Sequence, residues 1–253
     1  MPALGASLAT PGAMGVASDL AAVPSGRVRM LPVHTDLSGL FPWGGLRRGS
    51  TVSVHGSTSL LLALLAEPTT GGSWAAAVGM PDLGVLAAAE LGVAVDRLAL
   101  VRHPGADLPA VVAALLDGMD LVVTPRARLT DAQARRLSAR ARHRGAVLLT
   151  VGAWPGVDLE LSCVRSDWGG IGAGHGHLAC REVTVQARGR GVASRPTRTT
   201  LSLPAPGGGI APVLPACGPD RRPIRWVSRE RVELSGAAAN LLGAKDFGHL
   251  RIG

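Results

Sequence analysis

Short apolar runs alternate with longer amphipathic segments through the middle of the chain. Five runs rich in Val, Leu and Ala predict buried strands at 51–55, 74–78, 97–101, 121–124 and 146–151. Apolar residues at helical spacing predict helices between these strands at 60–67, 83–91, 108–116 and 131–144. Such alternation is typical of a mostly parallel sheet with helices on both faces. We therefore expect an α/β fold.

The helix at 131–144 has the clearest boundaries. Thr130 and Gln133 have the spacing of a capping box at its start. Gly145 follows its last residue, where helices commonly end in a left-handed conformation that glycine adopts without steric cost.

The pattern changes after residue 151. A glycine-rich stretch leads to two segments of alternating polarity, 178–187 and 199–203, which predict antiparallel edge strands after residue 175. The chain thus divides into three predicted parts. They are a flexible N-terminal arm at 1–36, in which 28–31 is able to dock, a core at 37–204, and a Pro/Gly linker with a basic tail at 205–253.

A glycine turn follows the first core strand, where a phosphate-binding loop would lie. A working loop has the pattern G-x-x-x-x-G-K-[ST], in which backbone N–H groups cradle the phosphates and the lysine neutralises them. Here the turn Gly56-Ser57-Thr58-Ser59 is too short, and Lys245 is the sole lysine of the chain. The loop is therefore predicted to be degenerate. The alternative is an ordinary strand-to-helix connection capped by Ser57 or Thr58.

A second loss lies at the end of the strand 121–124. A P-loop ATPase places an aspartate there to hold Mg²⁺, and this chain has Thr124. Both losses predict that the protein does not hydrolyse a nucleoside triphosphate by the P-loop route.

Several segments in order along the chain resemble the core of the RecA recombinase family. They are Ser38-Gly-Leu, Gly44-Gly-Leu-Arg-Arg-Gly49, Gly72-Ser-Trp74, Ala88-Ala-Glu-Leu-Gly-Val-Ala-Val-Asp-Arg-Leu98 and Asp120-Leu-Val-Val-Thr124. The resemblance covers 37–204 and implies a RecA-like core. Within this group the chain is similar to the actinobacterial ImuA-type accessory proteins of the DNA-damage-induced mutagenesis cassette. These share a shortened loop, a glycine-rich stretch such as that at 168–177, and a basic tail.

The resemblance implies a role in SOS-induced mutagenesis and translesion DNA synthesis. The partner would be a Y-family polymerase homologue of the ImuB type and, through it, an error-prone replicative-type polymerase. Because Val78-Gly-Met-Pro81 stands where recombinases carry a catalytic glutamate, no catalytic residue is transferred and no cofactor is expected. The alternatives are an active RecA-like DNA-dependent ATPase and a plain DNA-binding protein.

The charge of the chain makes DNA a further candidate partner. The net charge is +8, and residues 121–253 carry 20 Arg and Lys against 9 acidic residues. Recombinases bind DNA through loops that correspond to 125–129 and 153–177. The candidate DNA-binding residues in or near them are Arg126, Arg128, Arg135, Arg136 and Arg165, with Trp154 and Trp168 as candidates for base stacking. The alternatives are solvated helix arginines and tryptophans packed beneath loops.

The tail combines arginines with aromatic and apolar residues, which are the types that most often anchor protein interfaces. The predicted partner-binding residues are Arg221, Arg222, Arg225, Trp226, Arg229, Phe247 and Leu250. The alternative is an inert basic tail.

Cysteine and histidine usage predicts neither a metal site nor an oxidising compartment. Cys163, His175, His177 and Cys180 match none of the usual zinc spacings, so we predict no metal. Three cysteines are an odd number, which favours a reducing compartment. Residues 1–26 lack the cationic start of a signal peptide, and no apolar run approaches the roughly 18 residues of a membrane helix. A cytoplasmic protein is expected.

Overall fold

The computed structural model describes residues 30–127, 129–172, 175–213 and 224–226. Its strands are β1 (Met30–Leu31), β2 (Leu46–Arg47), β3 (Thr51–His55), β4 (Ala75–Val78), β5 (Leu98–Val101), β6 (Leu121–Pro125), β7 (Val147–Val151), β8 (Leu159–Gly172), β9 (His175–Gly189), β10 (Thr197–Ser202), β11 (Ala211–Pro212) and β12 (Ile224–Trp226). Its helices are α1 (Thr35–Ser38), α2 (Thr58–Thr70), α3 (Val85–Glu90), α4 (Leu108–Gly118) and α5 (Asp131–Arg144).

Ten of these strands form one mixed sheet in the order β11-β10-β9-β8-β3-β7-β6-β4-β5, and β12 pairs with β8 beside this path. In this order, each strand from β8 through β3, β7, β6 and β4 to β5 is parallel to the next. The pairs β8–β9, β9–β10, β10–β11 and β8–β12 are antiparallel. The structure is therefore a mostly parallel α/β sheet extended by an antiparallel edge.

Each face of the parallel part has its own apolar core. On one face α2 and α3 pack against inward residues such as Val52 and Leu149. On the other, α4 and α5 pack against Val122 and Leu148. Successive residues of a strand point to opposite faces, so a strand covered on both sides is apolar throughout, as β7 is over most of its length.

The five predicted core strands and four predicted helices are confirmed, with ends that agree within three residues. Helix α5 begins with the predicted capping box, and Gly145 adopts φ 69° at its end. Helix α2 runs past its predicted end at Glu67 because Pro68 is accommodated in the last turn. There the hydroxyls of Thr69 and Thr70 donate to the carbonyls of Leu65 and Ala66, 2.7 and 3.0 Å away.

The prediction for the stretch after residue 151 was partly wrong. The segment 153–177 was expected to be mostly a glycine-rich loop, whereas 159–172 forms the 14-residue strand β8. This strand pairs with β3 on one side and with the 15-residue strand β9 on the other. The antiparallel edge therefore begins at Leu159 and not after residue 175. Gly169 and Gly172 lie where β8 pairs with β9, so tertiary pairing gives an extended conformation to residues whose own strand propensity is low.

The first described residues belong to the folded structure. Strand β1 lies within the segment 28–31 that was expected to dock, and it pairs with β2. Leu31 and Val33 are buried in the larger core. The predicted arm before residue 30 and most of the predicted tail lie outside the described residues. Among the helices that are described, none is long and apolar enough to cross a membrane.

Candidate functional site

The candidate site lies at the carboxyl ends of β3, β6 and β7, in the middle of the sheet. The helix that follows β3 packs on one face of the sheet, whereas the helix that follows β6 packs on the other. In the sheet β7 lies between these two strands, and open α/β sheets commonly bind ligands at the carboxyl ends of strands where the flanking helices change face. The turn at Gly56 lies at this edge of the sheet, directly after β3.

Two residues, Gly56 and Ser57, connect β3 to α2. Gly56 has φ 76°, a conformation that a side chain would strain. The Ser57 hydroxyl caps the helix by accepting a hydrogen bond from the N–H of Leu60 at 3.2 Å. The expected alternative, a capped strand-to-helix connection, is thus observed at Ser57. Thr58 and Ser59 already belong to the helix, so no loop remains to surround a phosphate.

Thr124, at the position expected for a magnesium-binding acid, belongs to a row of buried hydroxyls. Thr124 pairs in register with Thr150 of β7, which pairs in register with Ser53 of β3. Residues in register on parallel strands point to the same face. All three hydroxyls are buried and make no hydrogen bond within the described residues. The row is neutral and carries no carboxylate for a hard divalent cation.

Arg181 of β9 lies beside the Gly56 turn. Its Nη1 atom is 3.5 Å from the Ser57 hydroxyl, and its Nε atom donates to the Ser166 hydroxyl at 2.7 Å. Its guanidinium lies 5.4 Å from the centre of the Trp168 ring. Burial lowers the pKa of the Arg181 guanidinium.

The sequence contained a signal for Arg181 that the prediction did not use. In the alternating segment 178–187 this arginine has the same parity as Val183 and Val185, which are buried in the apolar core. A charged residue on the inward phase of a strand indicates a specific partner inside the structure. Its contact with Ser57 joins residues 124 positions apart, which the alternation alone does not reveal.

The candidate DNA-binding arginines lie on three different elements. Arg126 donates to the Leu129 carbonyl and to the Asp131 carboxylate, so it stabilises the turn before α5. Arg135 and Arg136 are exposed on α5, and Arg165 of β8 pairs with the Asp167 carboxylate. Arg128 lies outside the described residues. The arginines of α5 thus remain candidates for a partner, whereas Arg126 has a structural role.

Of the two candidate stacking residues, Trp154 is buried beneath the loop after β7. It is 6% exposed, and its Nε1 atom donates to the Ser138 hydroxyl of α5 at 2.9 Å. It therefore packs on the core, which is the alternative that the sequence left open. Trp168 is partly exposed and faces Arg181.

The described side chains contain no group of three or more His, Cys, Asp or Glu residues placed to hold a metal ion. Cys163 is buried, and burial raises the pKa of its thiol. A raised thiol pKa lowers the thiolate fraction that would act as a ligand or nucleophile. The side chains of His175 and His177 lie outside the described part.

Part of the predicted partner-binding tail lies on the sheet. Strand β12 pairs antiparallel with β8, with Arg225 opposite Asp167 and Trp226 opposite Ser166. Strand β8 extends past the end of β3, whose last residue pairs with Ser162. Strand β12 thus borders β8 on the same edge as β3, beyond the Gly56 turn. The other tail candidates, Arg221, Arg222, Arg229, Phe247 and Leu250, lie outside the described residues.

Residues 39–156 match the family model of the MT3502 N-terminal domain. This range begins directly after α1 and ends in the loop after β7. It therefore contains the Gly56 turn but neither Arg181 nor the tail. The chain is also similar to the uncharacterized protein Rv3395c of Mycobacterium tuberculosis, with 47% identity over 117 residues. The alignment covers 45% of this chain and 57% of that relative, so the chain matches less than two thirds of the relative's length.

Proposed function

We propose that the protein is a non-hydrolysing RecA-like accessory subunit, which serves induced mutagenesis and translesion synthesis in the cytoplasm by binding a Y-family polymerase homologue. The proposal that the protein does not hydrolyse nucleotide rests on the connection between β3 and α2. Its two residues leave no phosphate loop, and the Ser57 hydroxyl takes the Leu60 N–H that a nucleotide phosphate would otherwise approach. The polymerase partner is proposed from the resemblance of the sequence to ImuA-type proteins.

The sheet supports a RecA-like interpretation of the core. The strand that precedes the turn is central, with parallel neighbours on both sides, and helices flank the parallel strands on both faces. Thr124, which stands where the acid is missing, is the fourth residue of β6, two strands from the strand that precedes the turn. We infer that Gly56-Ser57 and Thr124 stand where an ATPase would carry its loop lysine and its magnesium-binding acid.

Arg181 favours one alternative, an ATPase that uses arginine in place of the loop lysine. Against this alternative, its guanidinium already donates to Ser166 and contacts Trp168, both on β8. To act in place of the loop lysine, Arg181 would have to leave these contacts to reach a β- or γ-phosphate. We therefore assign Arg181 a role in holding the hairpin against the turn.

The decisive experiment measures nucleotide binding and turnover by the full-length protein. Isothermal titration with Mg-ATP and phosphate release with and without single-stranded DNA should both give no signal above buffer. An Arg181→Ala variant serves as the control and should behave identically. Saturable binding with DNA-stimulated phosphate release that Arg181→Ala abolishes would establish the ATPase alternative.

The tail is tested separately with the polymerase homologue of the same cassette. We expect a Trp226→Ala, Arg229→Glu double variant of the full chain to lose binding in a pull-down, because aromatic and arginine anchors dominate interfaces. Arg195→Glu, at an exposed position two residues before β10, is the charge control. If both variants bind as well as the unmodified chain, the tail is not the binding segment.

A further inference from the structure

A groove of about 370 Å³ lies between α4 and α5, on the face of the sheet opposite to α2. Its α4 wall consists of Pro109, Ala110 and Ala113. These small side chains do not fill the space between the two helices, which leaves Leu137 of α5 at the floor of the groove. An apolar channel between two helices has the shape that receives the apolar face of a third helix.

One side of the groove is basic. Arg136 and Arg140 line it and are four residues apart on α5, so both side chains project from one face of the helix. Arg140 pairs with Asp117 of α4, with its Nε atom 2.8 Å from Oδ1, and Arg144 also contacts this carboxylate at 3.0 Å. The hydrogen bond from Arg140 keeps the pKa of Asp117 below its usual range. Arg136 is exposed and makes no ion pair within the described residues.

We propose that this groove binds an acidic amphipathic helix of a partner protein. Apolar residues at helical spacing would lie on Ala110, Ala113 and Leu137, and a flanking carboxylate would pair with Arg136. All of its lining residues belong to α4 and α5, so the proposal involves no residue of the tail and does not depend on whether the protein hydrolyses ATP. The tail's own segment 221–229 is a poor occupant, because its arginines would meet like charge.

The apolar floor favours a protein helix over DNA. Phosphate contacts need only cations that reach the backbone, and they gain nothing from a channel of alanine and leucine side chains. A nucleic acid would use the exposed arginines of α5 equally, including Arg142, which does not line the groove. Arg136 and Arg142 therefore distinguish the two classes of partner.

The test uses full-length protein and a fluorescein-labelled peptide of about 15 residues, enough for roughly four helical turns. The peptide carries leucines at i, i+3, i+4 and i+7 and glutamates elsewhere, and its affinity is measured by fluorescence anisotropy. We expect Arg136→Glu to weaken binding at least about tenfold, because it replaces an attraction by a repulsion at the groove. Arg142→Glu should change affinity by less than about twofold.

A second pair of variants tests the apolar floor without changing charge. Ala110→Gln fills the groove and should weaken binding at least about fivefold, whereas Ala114→Gln, exposed on α4 but outside the groove, should have no effect. Circular dichroism checks that each variant is folded.

Three results would overturn the proposal. The first is absence of peptide binding at any accessible concentration. The second is equal binding of a peptide with the same composition in shuffled order. The third is equal loss in Arg136→Glu and Arg142→Glu together with competition by an oligothymidylate, which would assign the surface to nucleic acid. Removal of residues 227–253 should leave peptide binding unchanged, so failure of the groove and failure of the tail are distinguishable.

Discussion

The parallel and antiparallel parts of the sheet are built differently. Strands β4 to β7 are covered by helices on both faces, so they are short and apolar. The hairpin β8–β9 is long, and one of its faces carries Val183 and Val185 while the other carries Thr184 and Gln186. The family match ends at residue 156, before the hairpin. The charged group next to the central turn, Arg181, therefore comes from the part that the match does not cover.

The difference shows how the two parts contribute to the candidate site. The parallel part supplies backbone geometry, namely the Gly56 turn and the ends of β6 and β7. The antiparallel part supplies Arg181, whose guanidinium contacts the Ser57 hydroxyl, and Trp168, whose ring faces that guanidinium. A comparison restricted to the parallel part would therefore describe the Gly56 turn without Arg181, the arginine that lies beside it.

The largest predicted effect tests whether the two parts unfold together. Leu149 in β7 and Leu201 in β10 are both 0% exposed and belong to one core cluster. We expect Leu149→Ala and Leu201→Ala each to lower the free energy of unfolding by about 2–5 kcal/mol, from lost burial and a residual cavity. Urea unfolding followed by circular dichroism measures both.

The control for this pair is Leu86→Ala, at a position 73% exposed, which should change stability by less than about 0.5 kcal/mol. Two separate unfolding transitions, with Leu201→Ala moving only one of them, would mean that the antiparallel part is an independent unit.

A smaller effect is predicted at the turn where the two parts meet. Ser57→Ala removes the hydroxyl that accepts the Leu60 N–H and should cost about 1 kcal/mol of unfolding free energy. Ser59→Ala, one residue inside the helix, makes no such cap and should cost less than about 0.5 kcal/mol. Equal losses in the two variants would show that Ser57 does not cap the helix in solution.

The smallest predicted effect concerns the stability that Asp117 contributes on the surface of the parallel part, and it depends on pH. Asp117 has a pKa below its usual value because Arg140 donates to it. A carboxylate with a depressed folded-state pKa adds stability that is present above its unfolded pKa and is lost as the pH falls through the folded value.

Asp117→Asn should therefore be slightly less stable than the unmodified chain at pH 7. The difference should begin to shrink as the pH falls below about 4, should disappear once the pH is below the depressed folded-state pKa, and should also shrink in high salt. Thermal melts at several pH values measure it. A difference that persists in acid would assign the loss to packing and not to the ion pair.

The sequence predicted the parts of the fold in which local signals agree with the tertiary structure. The capping box at Thr130 and the glycine at 145 fixed both ends of α5, and apolar runs marked the buried strands. Strand β8 was missed because its residues 166–172, Ser-Asp-Trp-Gly-Gly-Ile-Gly, include three glycines and an aspartate, which are poor strand formers, and pairing with β9, joined by β12 at 166–168, compensates. The pattern of residues within β8 does not show which strands will pair with it.

The sequence predicted which catalytic groups the candidate site lacks, but it did not predict which side chains make contact there. The missing lysine and acid can be read directly from residue identity. The contact of Arg181 with Ser57 and that of Trp154 with Ser138 join residues far apart in sequence, so neither follows from a pattern within one element. The partners of Arg126 lie only three and five residues away, but its contacts with them depend on the conformation of the turn before α5, which no sequence pattern predicted.

Strand β12 has one further consequence, for the solubility of shortened versions of the chain. Where β8 runs beyond β3, its backbone N–H and C=O groups at 166–168 are paired by residues 224–226. Open strand edges of this kind recruit strands from other molecules. A version that ends at residue 213 should therefore self-associate through this edge, whereas one that ends at residue 226 should remain monodisperse under the same conditions.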